Sequence, residues 1–306
     1  MSKLSIHNPT HRAIWGQCLG DSIASHLSNT DPIQTWKDFK QQRKLPYKRG
    51  HISIYAKQMM GLVELRLQHS TIRPNEFNHL AAEYLHRNTG HTLLCRAIKE
   101  KKPYVVPDME LAVRVGPLAT CYTDLNEMLD TIYGLIKLFS THPHAIVGTL
   151  AFAAHSWNQS QEVSIETADL FHAMRNWSIK TDIPSETWWV FEQAIRILEQ
   201  RYPLQEMLDF VNNITQQPKE TLPSPRQSLS VLPLMFQQQE TDVDWSYCLQ
   251  PQGGNELLMN LKGCLLGLRY EIPNWLAVSL SHIKALQAYP IQHLEPKEQQ
   301  LRLFDL

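Results

Sequence analysis

Leu125-Asn126-Glu127-Met128-Leu129-Asp130-Thr131-Ile132-Tyr133-Gly134-Leu135-Ile136-Lys137-Leu138-Phe139 is the stretch that decides the fold. Its apolar residues Leu125, Met128, Leu129, Ile132, Leu135, Ile136 and Phe139 step by three and four, which lays one apolar stripe along a helix. Thr123, just ahead, offers a hydroxyl to the unpaired amides of the first turn, and Pro143 closes the segment. Pro143 also suits the first position of a second helix, where a missing N–H costs nothing. That helix carries Ile146, Leu150, Ala154 and Trp157.

The same spacing recurs outward from this stretch. Ser185 is placed to cap a helix bearing Trp188, Trp189, Phe191, Ala194, Ile195 and Leu198. Asn274 is placed to cap a last one, with Leu276, Leu280, Ile283 and Leu286 on one face. Strand-like runs are few, and Tyr104-Val105-Val106 is cut by Pro107. The expectation is an all-α chain of about ten or more helices, given usual helix and connection lengths. Composition agrees. The 306 residues are 43% hydrophobic and 19% charged, enough for a real core, and the 12 glycines are about half the usual share of ~7%. That scarcity argues against a turn-dense β-protein and a Gly-rich phosphate cradle.

Lys+Arg 29 against Asp+Glu 30 leaves a net charge of −1, so no global basic field draws in nucleic acid or anionic lipid. Cys18, Cys95, Cys121, Cys248 and Cys264 are odd in number and never form a C-x-x-C pair, which suggests neither a disulfide framework nor a structural zinc site. The start lacks the apolar core of a signal peptide, and the longest apolar run, Ala145 to Ala154, is too short to span a bilayer. A cytoplasmic protein with no membrane association is expected. Two stretches break the helical pattern and read as surface loops: the basic Lys37 to Arg49, and the irregular Pro- and Gln-rich segment 215–244. Without aromatic interleaving, the basic run gives no direct nucleic-acid contact.

Four segments, in order, carry a family likeness. They are Trp15 to Ala24 with its Gly20-Asp21 step, Asp108 to Leu118 with Arg114, Pro117 and Leu118, Ser140-Thr141-His142-Pro143, and Gly253-Gly254-Asn255-Glu256 followed by Gly263, Gly267 and Ile272-Pro273-Asn274-Trp275. Together they resemble the ADP-ribosylglycohydrolase family, of the dinitrogenase-reductase-activating type. The resemblance implies a single compact, orthogonal all-α domain over 1–296, followed by a tail at 297–306. It also implies a central cleft with two magnesium ions, held by a Thr-Asp-Asp step in the N-terminal third and an Asp-x-Asp-Thr near the C-terminus.

This chain departs from that pattern at the metal. Hard divalent cations need several oxygen ligands, with carboxylates offsetting their dehydration. Where the family has Thr-Asp-Asp-Thr, this chain has Ser53-Ile54-Tyr55-Ala56. At the second site either Asn255 and Leu257, or Gly254 and Glu256, fall on the two Asp positions, so at most one carboxylate survives. Ser28 stands where an acid follows the Gly-Asp step, and His144 stands where one follows Thr-His-Pro. Glycosidic hydrolysis with two metals requires a generated hydroxide and clamped oxygens. The expectation is therefore a metal-free pseudoenzyme without the magnesium pair, acting as a protein-interaction or regulatory module. The alternative is a hydrolase of altered or metal-independent mechanism.

Asp21, Ser28, Ser53, Tyr55, Arg114, His142, Asn255 and Glu256 are the pocket candidates, for ADP-ribose or a nucleotide if either still binds. Asp21 reads as a surviving pocket acid or as a buried helix-packing carboxylate bonded to backbone amides, the second being the working choice. Arg114 can face a phosphate or bridge loops; the sequence leaves both open. His142 is explained by a helix-junction cap. Tyr55 fills the volume of the metals or stacks on a base, with filling the working choice. In the tail, Gln300-Leu301-Arg302-Leu303-Phe304 resembles the peptide by which bacterial replication and repair proteins dock on the sliding clamp. Gln300, Leu301, Leu303 and Phe304 are the partner-binding candidates, against a default in which Leu303 and Phe304 fold back on the domain.

Overall fold

The computed structural model describes residues 8–27, 52–88, 90, 92–105, 110–200, 232, 235, 255–269 and 284–289. Among the described residues run ten α-helices: α1 (Pro9–Leu27), α2 (Ile54–Gln68), α3 (Pro74–Arg87), α4 (Leu93–Glu100), α5 (Glu110–Ala119), α6 (Leu125–Lys137), α7 (Pro143–Ser160), α8 (Thr167–Ser178), α9 (Ser185–Glu199) and α10 (Asn255–Arg269). A 3-10 helix covers Lys284–Ala288. The β pairing among these residues is one isolated parallel bridge, Tyr104 to Ser140. The protein is all-α, as the apolar periodicity requires. The chain forms two compact units, Met1–Lys57 with Gln238–Leu306, and Gln58–Gln237.

In the first unit, α1 lies against α10 backbone to backbone. Each helix carries two glycines four apart, Gly16 and Gly20 on one, Gly263 and Gly267 on the other. A Cβ on Gly16 would stand 2.2 Å from the Gly263 carbonyl oxygen, and one on Gly20 would stand 2.0 Å from that of Met259. Backbone atoms cannot step aside as a side-chain tip can, so only glycine permits this approach. Trp15 closes the pair on one side, its indole N–H donating to the Tyr289 carbonyl at 2.7 Å. His11 meets the Tyr289 ring edge-on at 5.6 Å between centroids.

In the second unit, α7 is buried almost all round from Ala145 to Asn158, as a helix apolar on every face must be. Helices α5, α6, α8 and α9 pack against it. The stripe of α6 turns inward as its spacing predicts: Met128, Leu129, Ile132, Leu135 and Ile136 are fully buried. Each contributes about 1.5–3 kcal/mol of burial before ordering costs. Pro143 takes the first turn of α7, and Ile146, Leu150, Ala154 and Trp157 are buried.

Several local expectations are corrected. The cap of α6 is Asp124, whose carboxylate accepts from the Glu127 N–H at 2.7 Å. Thr123 lies one residue too early to reach that amide. His142 holds the N-cap position of α7 by its backbone, with no side-chain capping bond. Trp189 is 60% exposed while Trp188 and Phe191 are buried, because neighbouring helical positions lie about 100° apart and only one of the two tryptophans can face inward. Cys18, Cys95, Cys121 and Cys264 are free thiols. No helix among the described residues is long and apolar enough to cross a membrane. Ser28, the basic run 37–49, most of 215–244, Asn274 and the tail 297–306 lie outside the described residues.

Candidate functional site

The Gly-Asp step of α1 sets the first locus. Gly20 brings α1 close to α10, and Asp21 follows it into the interior, 1% exposed. Its Oδ2 accepts from the Ser53 N–H at 2.9 Å, and Oδ1 accepts from the Ser53 hydroxyl. The Asn260 side chain of α10 adds a third bond. Ser53 then does what a residue ahead of a helix does: its Oγ accepts from the Tyr55 N–H at 3.1 Å and the Ala56 N–H at 3.3 Å, capping α2. Ile54 and Tyr55 occupy the first turn of that helix, both half-buried.

Burial raises the Asp21 pKa, against the lowering effect of the Ser53 and Asn260 hydrogen bonds. Cys18, one turn earlier on α1, is fully buried; burial and then the Asp21 charge push its thiol pKa well up. A thiol so held is a poor nucleophile. Among the described residues no three of His, Cys, Asp and Glu come together as a metal-holding group.

Arg114 builds a second locus, in the other unit. It has no exposed surface. Its Nε donates to Gln58 Oε1 at 2.6 Å, Nη1 donates to the Glu110 carbonyl, and Nη2 donates to Thr92 Oγ1 at 3.3 Å and lies 3.7 Å from Glu110 Oε2. The partners are themselves tied. Glu110 Oε2 accepts from the Leu94 N–H at 3.1 Å, and Gln58 Nε2 donates to the Asn88 carbonyl at 2.6 Å. Thr92 caps α4 through the Cys95 N–H. The guanidinium thus ties α2, α4 and α5 into one frame.

The third locus is the start of α7. His142 is buried and its ring lies 5.6 Å from that of His144, which stacks on Phe191 at 6.4 Å. Nδ1 of each imidazole is buried and has no hydrogen-bond partner among the described residues. Burial lowers the His142 pKa; burial and the neighbouring His142 push that of His144 down to about 4. The helix start, with its inward-turned amide dipoles, further disfavours a cation. Both rings are therefore neutral at pH 7.

Of the sequence-derived candidates, Asp21 and Ser53 are brought together, with Tyr55 in the turn that Ser53 caps. Asn255 and Glu256 are the first residues of α10. Arg114 and His142 belong to separate clusters within the second unit. Ser28, Gln300, Leu301, Leu303 and Phe304 lie outside the described residues. Sequence reasoning missed Asn260 and Gln58. Each is a fully buried amide on an otherwise apolar helix face, and that interruption is the signal that marks them. No protein-family model matches the chain, and no curated protein matches it.

Proposed function

We propose that this protein is a catalytically inactive, ADP-ribosylglycohydrolase-like chain that works by binding a protein partner. The observation that carries this reading is the state of Asp21. The one acid retained at the Gly-Asp step is spent on Ser53 and Asn260, fixing the start of α2 rather than offering free lone pairs to a cation. The next two positions, where the family likeness asks for carboxylates, are Ile54 and Tyr55. A hard divalent ion gains too little from such a set to offset its dehydration.

Calorimetric titration with Mg²⁺ and with Mn²⁺ tests the reading. The expected result is no saturable heat at millimolar metal. Saturable binding with a dissociation constant near the micromolar range overturns it and favours a hydrolase of altered mechanism.

A further inference from the structure

The second unit presents a short cationic strip that makes no ion pair among the described residues. Helix α4 buries Leu94, Cys95, Ala97 and Ile98, and turns Arg96 and Lys99 outward. Lys101 and Lys102 follow, both exposed. Within residues 96–102 stand these four cations and a single carboxylate, Glu100, in a chain whose net charge is −1. None of the four forms an ion pair or side-chain hydrogen bond among the described residues.

Local physics accounts for them only in part: Lys99, Lys101 and Lys102 stand at the C-terminal end of α4, where the helix dipole favours a cation. Arg96 sits in the first turn of α4, at the positive end of the helix dipole, where a cation is disfavoured. Arg96 and Lys99 are three apart, so like charges face each other along one side of the helix. The helix ends with the Lys102 N–H on the Ala97 carbonyl at 3.1 Å and the Lys101 N–H on the Ile98 carbonyl. That closure needs a left-handed residue, a place that glycine fills without strain. Here it is Lys101, with φ 51°, the only non-glycine with positive φ among the described residues. A strained lysine held where glycine is easier points to a use for its charge.

The strip also rests on a firm base. Thr92 and Arg114 fix the start of α4. Beyond the strip, the Tyr104 N–H donates to the Phe139 carbonyl at 2.9 Å, and the Tyr104 carbonyl accepts from the Thr141 N–H at 3.2 Å.

We infer that Arg96, Lys99, Lys101 and Lys102 form a docking strip for a short acidic segment of a protein partner. The inference rests on the binding-module reading and names the chemistry its partner would present. From Arg96 to Glu100 the helix rises about 6 Å, the length of roughly two residues of extended chain, and Lys101 and Lys102 follow at its end. Carboxylates on alternate residues of such a segment match cations spread over that length. The footprint is small for a nucleic-acid duplex, residues 96–102 include no aromatic ring on which bases could stack, and Tyr104 just beyond them is half-buried with its hydroxyl turned inside.

The test is fluorescence anisotropy of a fluorescein-labelled octaglutamate peptide at low salt. Three proteins are compared: the full chain, the variant Arg96→Gln/Lys99→Gln/Lys101→Gln/Lys102→Gln, and a control, Arg73→Gln/Arg196→Gln, which removes two exposed cations elsewhere. The peptide is expected to bind the full chain and the control alike, and the strip variant at least ~10-fold more weakly, with the contrast shrinking as salt rises. Lys101→Gly is expected to weaken binding while raising the melting temperature, a pairing that a purely structural lysine does not give. No measurable binding to the full chain, equal binding by the strip variant, or tighter binding of a labelled oligothymidylate or of phosphatidylserine vesicles overturns the inference. The metal titration stands apart from all of these outcomes, so the strip can fail while the inactive-module reading holds, and the reverse.

Discussion

The carboxylate of Asp21 takes both the backbone N–H and the hydroxyl of Ser53, and that hydroxyl caps the helix beginning at Ile54. One acid on α1 thus fixes where a second helix starts, some thirty residues later in the chain. The pair is the clearest link between the family-like Gly-Asp step and a physical role in this molecule.

Asp21→Ala strips three donors, the Ser53 N–H and hydroxyl and the Asn260 side chain, of their acceptor and is expected to cost about 2–3 kcal/mol. Ser53→Ala removes a cap, at about 1 kcal/mol, and leaves the buried carboxylate short of one partner, the hydroxyl, while the backbone N–H at position 53 still donates to it. The double variant should be less destabilised than the sum of the two, with a coupling of at least ~1 kcal/mol. Urea unfolding of the four proteins measures this. Strict additivity would mean that the two residues do not act as a unit.

Glycines that look alike in the sequence should behave differently. Gly263→Ala drives a methyl to 2.2 Å from the Gly16 carbonyl oxygen, so it should cost about 1–3 kcal/mol or more by overpacking α1 against α10. Gly134→Ala on α6 meets the Asn78 side-chain amide, which can swing away, and gains up to ~1 kcal/mol of helix propensity. It should be close to neutral. Chemical denaturation separates the two; a neutral Gly263→Ala would contradict the backbone-to-backbone contact.

These cases also show what the sequence could and could not reveal. The stripe on α6 and the start of α7 at Pro143 were legible, because apolar spacing and proline geometry are local properties. The cap of α6 was displaced by one residue, since Thr123 and Asp124 are both good acceptors and only backbone angles choose between them. The apolar pattern puts Trp189 inward because it admits two adjacent tryptophans, while the packing takes one. Gly16, Gly20, Gly263 and Gly267 stood out as motif residues, but their purpose appears only when segments over two hundred residues apart meet. The burial of Arg114 was not legible at all: an arginine flanked by valines fits a cleft or a core equally, until Gln58, Thr92 and Glu110 are placed around it.

The paired imidazoles give a pH dependence of definite sign. His142 and His144 have pKa values lowered by burial, His144 to about 4, against an unfolded value near ~6.5. Between those limits the unfolded chain binds a proton that the folded His144 refuses, so stability falls as pH drops from about 6.5 toward 4 and levels off below. His144→Phe should flatten that part of the profile while keeping the stack on Phe191. Melting temperatures from pH 7 to pH 4 check it, and a variant as acid-sensitive as the parent would assign the effect elsewhere.

We propose that the chain has a glycohydrolase-like helical frame without the chemistry. Its most direct test is release of ADP-ribose from ADP-ribosylated arginine and serine peptides, followed by mass spectrometry in the presence of Mg²⁺ or Mn²⁺. No release above the protein-free blank is expected. Release that requires the protein, and disappears in the Asp21→Ala variant under conditions where that variant stays folded, would contradict it.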